Sequence, residues 1–258
     1  MLIRVFFFVF LTLFSLTRSA HADDYIAPTW GDLVKTLIRF NALNMTDMSL
    51  IDEYGLITEC DLYKAFYRDD FKWNQVRQAL SQSIKNDVAT FPTRYRYVAR
   101  WQLDRYDFQT KVFKFTDRSK ISNVNSFVIY QVSGTPCEVA DVKLIPRVFR
   151  AVIPEPVYMD GLPIGEEDAH NLVEQMKKDG NSDRVIWLRF NMRIVYIQPL
   201  VKTSRGKQSG VAGTYDDNIQ YQQLGGVKPD TVRLDARLES IEAYEDQDLT
   251  KLIYNIQL

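Results

Sequence analysis

Histidine occurs twice in this 258-residue sequence, at His21 and His170. A Ser-His-Asp or Cys-His site uses imidazole as its general base, so such a site would have to run through one of them. Glu166 lies four residues before His170 and Glu174 four after it, so in a helix the three side chains share a face. Two carboxylates and an imidazole could hold a metal ion. Zinc sites, however, draw on several His or Cys ligands, and the sequence reads better as a solvated helix face. No metal and no cofactor is expected. Ser209, in Gly206-Lys207-Gln208-Ser209-Gly210, is one residue out of register for a nucleophile elbow. Gly210-Val211-Ala212-Gly213 lacks the downstream lysine of a phosphate loop, and Asp216-Asp217-Asn218 lacks the spacing of a calcium loop.

Paired carboxylates can hydrolyse glycosides. Asp69-Asp70 and Glu166-Glu167 are acidic pairs that could serve that role, and both fall where a helix N-terminus favours negative charge. No catalytic residue is assigned. The more specific pattern is arginine. Arg94, Arg96 and Arg100 fall on one face of an alternating stretch, with same-face neighbours about 6.6 Å apart. Arg189 and Arg193 form a comparable set. Two readings stand: these arginines pair across a sheet with Asp235 and Glu239, or they form a basic face that recognises a partner. Guanidinium forks suit carboxylate recognition, so Arg94, Arg96 and Arg100 are the candidate partner-binding residues.

Cys60 and Cys137 are the only cysteines. In an oxidising compartment an even pair suggests a disulfide, although sequence alone does not bring the two together. Bonded and free thiols both stay open at this point.

The elements that must position these residues divide into a helical part and a sheet part. Thr29 and Asp32 open a helix carrying Trp30, Leu33, Val34, Leu37 and Ile38 at helical spacing. A second helix is expected over Leu50–Tyr67, with Leu56, Cys60, Tyr63 and Tyr67 on one face. A third begins after Asp69-Asp70 and buries Trp73, Val76, Leu80 and Ile84. After Pro92 the period changes to two: Tyr95, Tyr97, Ala99, Trp101 and Leu103 alternate with the arginine face. Further strands are expected at Lys111–Phe115, Ser126–Val132, Arg147–Ile153, Ile186–Ile194 and Val232–Leu238. One helix interrupts them, with Glu166, Glu167 and Asp168 first, Lys177 and Lys178 last, and Gly180 after. The expected fold class is α+β: a helical N-terminal region (23–90), then a mainly antiparallel β-sheet domain (91–258) with one packed helix. Residues 202–230 hold Gly206, Gly210, Gly213, Gly225 and Gly226 and read as a mobile loop.

The chain also carries an export signal by pattern. Arg4 precedes the apolar run Val5–Leu16, and Ala20-His21-Ala22 places small residues at a cleavage site. The run is shorter than the roughly 20 residues a spanning helix needs, and no transmembrane span is expected elsewhere. With residues 1–22 read as a signal peptide, 236 residues remain and the formal net charge moves from −1 to −3. A mildly acidic body gives no electrostatic basis for nucleic acid binding. Asn44-Met45-Thr46 matches a glycosylation sequon, which has meaning only on a eukaryotic secretory route.

Three stretches together, Glu59-Cys60-Asp61-Leu62-Tyr63, Phe91-Pro92-Thr93-Arg94-Tyr95 and Arg105-Tyr106-Asp107-Phe108, resemble an uncharacterised family of exported bacterial proteins, over Tyr25 to Pro199. The whole is similar to the small accessory subunits around the outer-membrane complex of Dot/Icm-type type IV secretion systems. The resemblance implies a bacterial envelope location, periplasmic or outer-membrane-associated, and brings no catalytic residues. The expected function is a non-enzymatic envelope subunit that binds other envelope proteins in a membrane-associated assembly. The rival expectations are an exported carboxylate-dependent hydrolase acting on glycan or peptidoglycan, and a ligand-binding module using the aromatic sheet face.

Overall fold

The computed structural model describes residues 25–133, 137, 142–197 and 231–258. The expected signal peptide (1–22) and glycine-rich loop (202–230), with Ser209 and Asp216-Asp217-Asn218, lie outside the described residues.

Among the described residues four α-helices come first. Helix α1 (Trp30–Arg39) starts where the Thr29 hydroxyl accepts a hydrogen bond from the Asp32 amide at 3.1 Å. It ends ahead of Asn41, which adopts φ 56°, a left-handed conformation that asparagine tolerates better than most residues. The helix expected over Leu50–Tyr67 is two helices, α2 (Met48–Thr58) and α3 (Cys60–Phe66), broken at Glu59 with φ −132° and ψ 52°. The apolar period runs on through this break, so it did not register the turn. Tertiary packing sets it instead: past Glu59, Cys60 bonds to Cys137, and Tyr63 and Tyr67 stack against Trp73. In α4 (Asp70–Asp87) the Asp69 carboxylate caps the Lys72 amide. Trp73 and Ile84 are buried, whereas Val76 and Leu80 are only half-buried.

The sheet contains β1 (Arg94–Asp107), β2 (Val112–Phe115), β3 (Ile121–Gln131), β4 (Val148–Met159), β5 (Gly161–Pro163), β6 (Val185–Ile197), β7 (Thr231–Tyr244) and β8 (Leu252–Gln257), with helix α5 (Glu166–Lys178) between β5 and β6. Their order is β3-β4-β7-β6-β1-β2-β5, with β8 also on β7. Pairing is antiparallel except between β4 and β7, which run parallel over Val148–Val152 and Thr231–Asp235. The long strand β7 pairs with β6 along one edge, and with β4 and then β8 along the other. Pro154 and Pro156 sit in β4 beyond the last residue paired to β7, where no ladder amide is needed.

The sheet curls strongly. Four strand spacings separate β3 from β1, about 19 Å in a flat sheet, yet the rings of Phe127 and Tyr97 are 5.6 Å apart. The inner face so formed holds Tyr95, Leu103, Phe149, Ile186, Leu188, Phe190 and Leu234, all buried. Leu33 and Leu37 of α1 and Leu172 and Met176 of α5 belong to the same apolar cluster. Inside it the Thr36 and Tyr95 hydroxyls bond at 2.5 Å, and the Trp30 indole donates to the Pro146 carbonyl at 2.9 Å. Tyr97 and Trp101 pack against this core as the alternation predicts, but they are only half-buried. The architecture is therefore α+β, with helices first and then a mainly antiparallel sheet with a packed helix. Among the described residues no helix is long and apolar enough to cross a membrane.

Candidate functional site

The outer face of β1, β6 and β7 is polar, and register decides who meets whom. Arg94 stands opposite Arg193, Arg96 opposite Asn191, Val98 opposite Arg189 and Arg100 opposite Trp187. On the next strand Arg189 faces Glu242 and Asn191 faces Ser240. A register shift beside Asn191 leaves Glu239 next to both Arg94, at 3.6 Å, and Arg193, at 3.0 Å. The Tyr25 hydroxyl donates to Glu239 at 2.5 Å, and the Arg94 guanidinium lies 5.8 Å from the Tyr25 ring centroid. Burial, reinforced by the hydrogen bond to Glu239, pushes the Tyr25 hydroxyl up to about 12. These contacts hold the segment at Ile26, which bridges to Tyr95 on the free edge of β1.

One row further along, Glu242 is enclosed. Arg189 reaches it at 2.6 Å, Asn191 donates to it at 2.9 Å, and the Tyr244 hydroxyl donates to the same carboxylate. Glu239 is thus an arginine partner, as the sequence allowed, whereas Asp235 pairs with Arg233 on its own strand. Arg100 differs from the rest of its row. It is exposed and lines a cavity of about 420 Å³ whose wall includes Trp187 and Glu245.

Other sequence candidates are placed without ambiguity. His170 is exposed on α5, and Glu174 of the same face is engaged with Lys177 at 2.7 Å. Asp69 caps α4, while Glu166 and Glu167 are exposed in the first turn of α5. Among the described residues no three His, Cys, Asp or Glu side chains are grouped to hold a metal. Cys60 and Cys137 are joined in a disulfide, with Cα atoms 5.8 Å apart at a sequence separation of 77.

The structure adds a surface that the sequence reading did not single out. At the corner between α3 and α4, Tyr67 and Phe71 are exposed, Phe71 to 86 %, and Leu62 is exposed in the first turn of α3. The corner is firmly built. Tyr63 and Tyr67 stack at 4.2 Å and both meet Trp73 edge-on. The Trp73 indole donates to Asp52 at 2.8 Å, and Arg77 grips the same carboxylate with two bonds of 2.7 Å. A sequence signal existed: Phe71 lies off the stripe through Trp73, Val76, Leu80 and Ile84, so a helix that buries the stripe must expose it.

The family model described as Domain of unknown function (DUF4852) matches residues 47–172, just under half of the chain. No curated protein and no solved structure matches it. The matched span takes in α2 to β5, the α3–α4 corner, the arginines of β1 and all three stretches on which the resemblance to an uncharacterised family was drawn, and it is to that domain of unknown function that this part of the chain is similar.

Proposed function

We propose that this protein is a non-enzymatic, exported envelope subunit that works by binding another protein, with the α3–α4 corner as its main docking surface. The observation that carries the reading is Phe71. A phenylalanine exposed to 86 % leaves unspent most of the roughly 1.5–3 kcal/mol that burying such a side chain contributes. Tyr67 stands on the same corner, and aromatic residues are the type enriched where proteins meet. The stacked tyrosines and the Asp52–Arg77 clamp fix the surface in advance, which lowers the ordering cost of association.

Arg100 supplies a second, polar contact in this reading, since it is exposed and makes no ion pair among the described residues. Arg94 and Arg96 flank it on the same face, with Arg94 already beside Glu239. The similarity to accessory subunits of a Dot/Icm-type outer-membrane complex makes a type IV secretion assembly the setting we favour.

A photo-crosslinker placed at Phe71 and, separately, at the exposed Phe108 on the β1–β2 turn tests this in exporting cells. The reading expects one discrete adduct from position 71 and none of comparable yield from position 108. Equal, diffuse labelling from both positions contradicts it.

A further inference from the structure

The edge of β1 that faces away from β6 is open in its middle. Thr93 accepts from the Ile194 amide, and Leu103 donates to the Arg184 carbonyl. By the alternation of an antiparallel ladder, Tyr95, Tyr97, Ala99 and Trp101 therefore turn their main-chain groups to β6. Arg94, Arg96, Val98, Arg100 and Gln102 turn theirs to the other edge. Both ends of that edge are filled. Ile26 donates to the Arg94 carbonyl at 3.3 Å and accepts from the Arg96 amide at 2.9 Å. Gln102 accepts from the Thr116 amide at 3.1 Å, and its own amide donates to the Ser119 hydroxyl at 3.1 Å. Between these ends, the amides and carbonyls of Val98 and Arg100 have no partner among the described residues.

Pro28 accounts for the opening. The Ile26 bridge is parallel, so the next bond along the edge would come from the amide of residue 28. Proline has no N–H to give, and the chain leaves the edge and enters α1 at Trp30. The stretch left over, from Arg96 to Gln102, is about 20 Å of strand. It reaches solvent: Arg100 is exposed, and Val98 and Ala99 are half-buried.

We propose that this edge receives an extended segment of a partner protein as an added strand, acidic at every second residue and apolar between. Pairing through the main chain of an open sheet edge is a general mode of peptide recognition, and the side chains beside the edge decide what fits. On the outer face these are Arg96 and Arg100, whose planar forks suit carboxylates. On the inner face Tyr97 and Trp101 flank Ala99, and all three are half-buried, so apolar side chains of the added strand gain contact there. A second copy of β1 would set arginine against arginine, and like charges opposite one another destabilise a strand pair. Residues 198–230 carry four Lys or Arg and no two acids at alternate positions, so they lack the required pattern. The inference rests on the binding-subunit reading and gives its contact at Arg100 a chemistry. It makes no use of the Phe71 corner, so the two fail separately.

The test titrates the whole protein with the synthetic peptide Ac-Glu-Val-Glu-Val-Glu-Val-Glu-NH2 and reads amide exchange residue by residue by NMR. In the free protein the Val98 and Arg100 amides should exchange fast, while those of Tyr97 and Ala99 are protected by β6. Saturating peptide should slow Val98 and Arg100 at least about tenfold. The peptide with Lys in place of Glu should not bind saturably. N-methylation of the peptide residues whose amides face β1 should abolish binding: the glutamates for an antiparallel strand, the valines for a parallel one. Arg100→Ala should lower affinity about tenfold, through loss of a charge-assisted hydrogen bond, and Phe71→Asp should leave it unchanged. Protection of Val98 and Arg100 in the free protein overturns the proposal, because the edge would already be covered. So does the absence of saturable binding, equal binding of the Lys peptide, or binding that survives both sets of N-methylation. Affinity indifferent to Arg100→Ala, or lost in Phe71→Asp, places the peptide elsewhere and overturns it too.

Discussion

At the scale of single residues, two buried carboxylates carry roles that their sequence neighbourhoods do not reveal. Glu53 in α2 reads as an ordinary helical acid. In the fold it accepts hydrogen bonds of 2.7–3.0 Å from the amides of Lys143, Leu144 and Ile145, satisfying three donors of the segment that leads into β4. Glu53→Ala should therefore cost about 3 kcal/mol in urea unfolding, because it leaves those amides without their charged acceptor. Glu245 predicts the opposite sign. Its carboxyl is held above its ordinary value chiefly by burial. Below about pH 4 both the folded and unfolded chains keep this proton. As pH rises the unfolded chain releases it first, and stability is lost until the folded group has ionised as well. Glu245→Gln should thus raise the melting temperature at pH 7 and leave it nearly unchanged near pH 3.

At the scale of elements, what the sequence disclosed and what it hid follow from range. Helix α5 was legible from end to end, because its acids, bases and Gly180 are local signals. Strands β1, β6 and β7 were legible as alternations, each with one face on the core. Strand β5 was not: it has three residues, and its Gly161 sits where a Cβ would overlap the Phe113 carbonyl of β2, a constraint visible only in the folded sheet. Strand β8 hid for another reason, since it lies on β7 with few buried positions and no clean alternation. The break at Glu59 and the bond from Cys60 to Cys137 likewise depend on residues far away in sequence. Closing a loop of that length should stabilise the fold by about 4–5 kcal/mol in the chain-entropy model. Reduction of the protein should therefore lower its urea midpoint markedly, and unchanged unfolding after full reduction would contradict the role given to this link. The α2–α4 contact makes a finer prediction. A Cβ at Gly55 would stand 2.9 Å from Leu80 Cδ1 and 3.0 Å from Trp73 Cη2. Alanine gains up to about 1 kcal/mol of helix propensity, but Trp73 is tied to Asp52 and cannot yield. Overpacking of about 1–3 kcal/mol should prevail, so Gly55→Ala is expected to lower stability slightly in urea unfolding.

At the scale of the whole molecule, one apolar cluster joins α1, α5 and the inner face of the sheet; the α3–α4 corner lies toward solvent, and of the outer-face arginines named above Arg100 is exposed while Arg94, Arg96, Arg189 and Arg193 are half-buried. The sequence pointed to the arginine face; for the corner it held one signal, Phe71 lying off the stripe that α4 buries, while the packing of Tyr63 and Tyr67 on Trp73 depends on how α3 turns against α4. The structure also sharpens how the arginines are to be probed. Glutamate at position 94 would confront Glu239, so its effect would mix repulsion within the fold with any loss of association. Arg100→Ala avoids this, since Arg100 is exposed and stands opposite Trp187, and the change adds no carboxylate beside Glu245. The most direct test of the binding-subunit account is the native mass of the protein extracted from envelopes, taken for wild type and Phe71→Asp together with their melting temperatures. The account predicts a defined complex with stoichiometric partner for wild type, and an equally stable Phe71→Asp protein that runs alone. A wild-type protein found only as a monomer, or a Phe71→Asp protein still fully assembled, would contradict it.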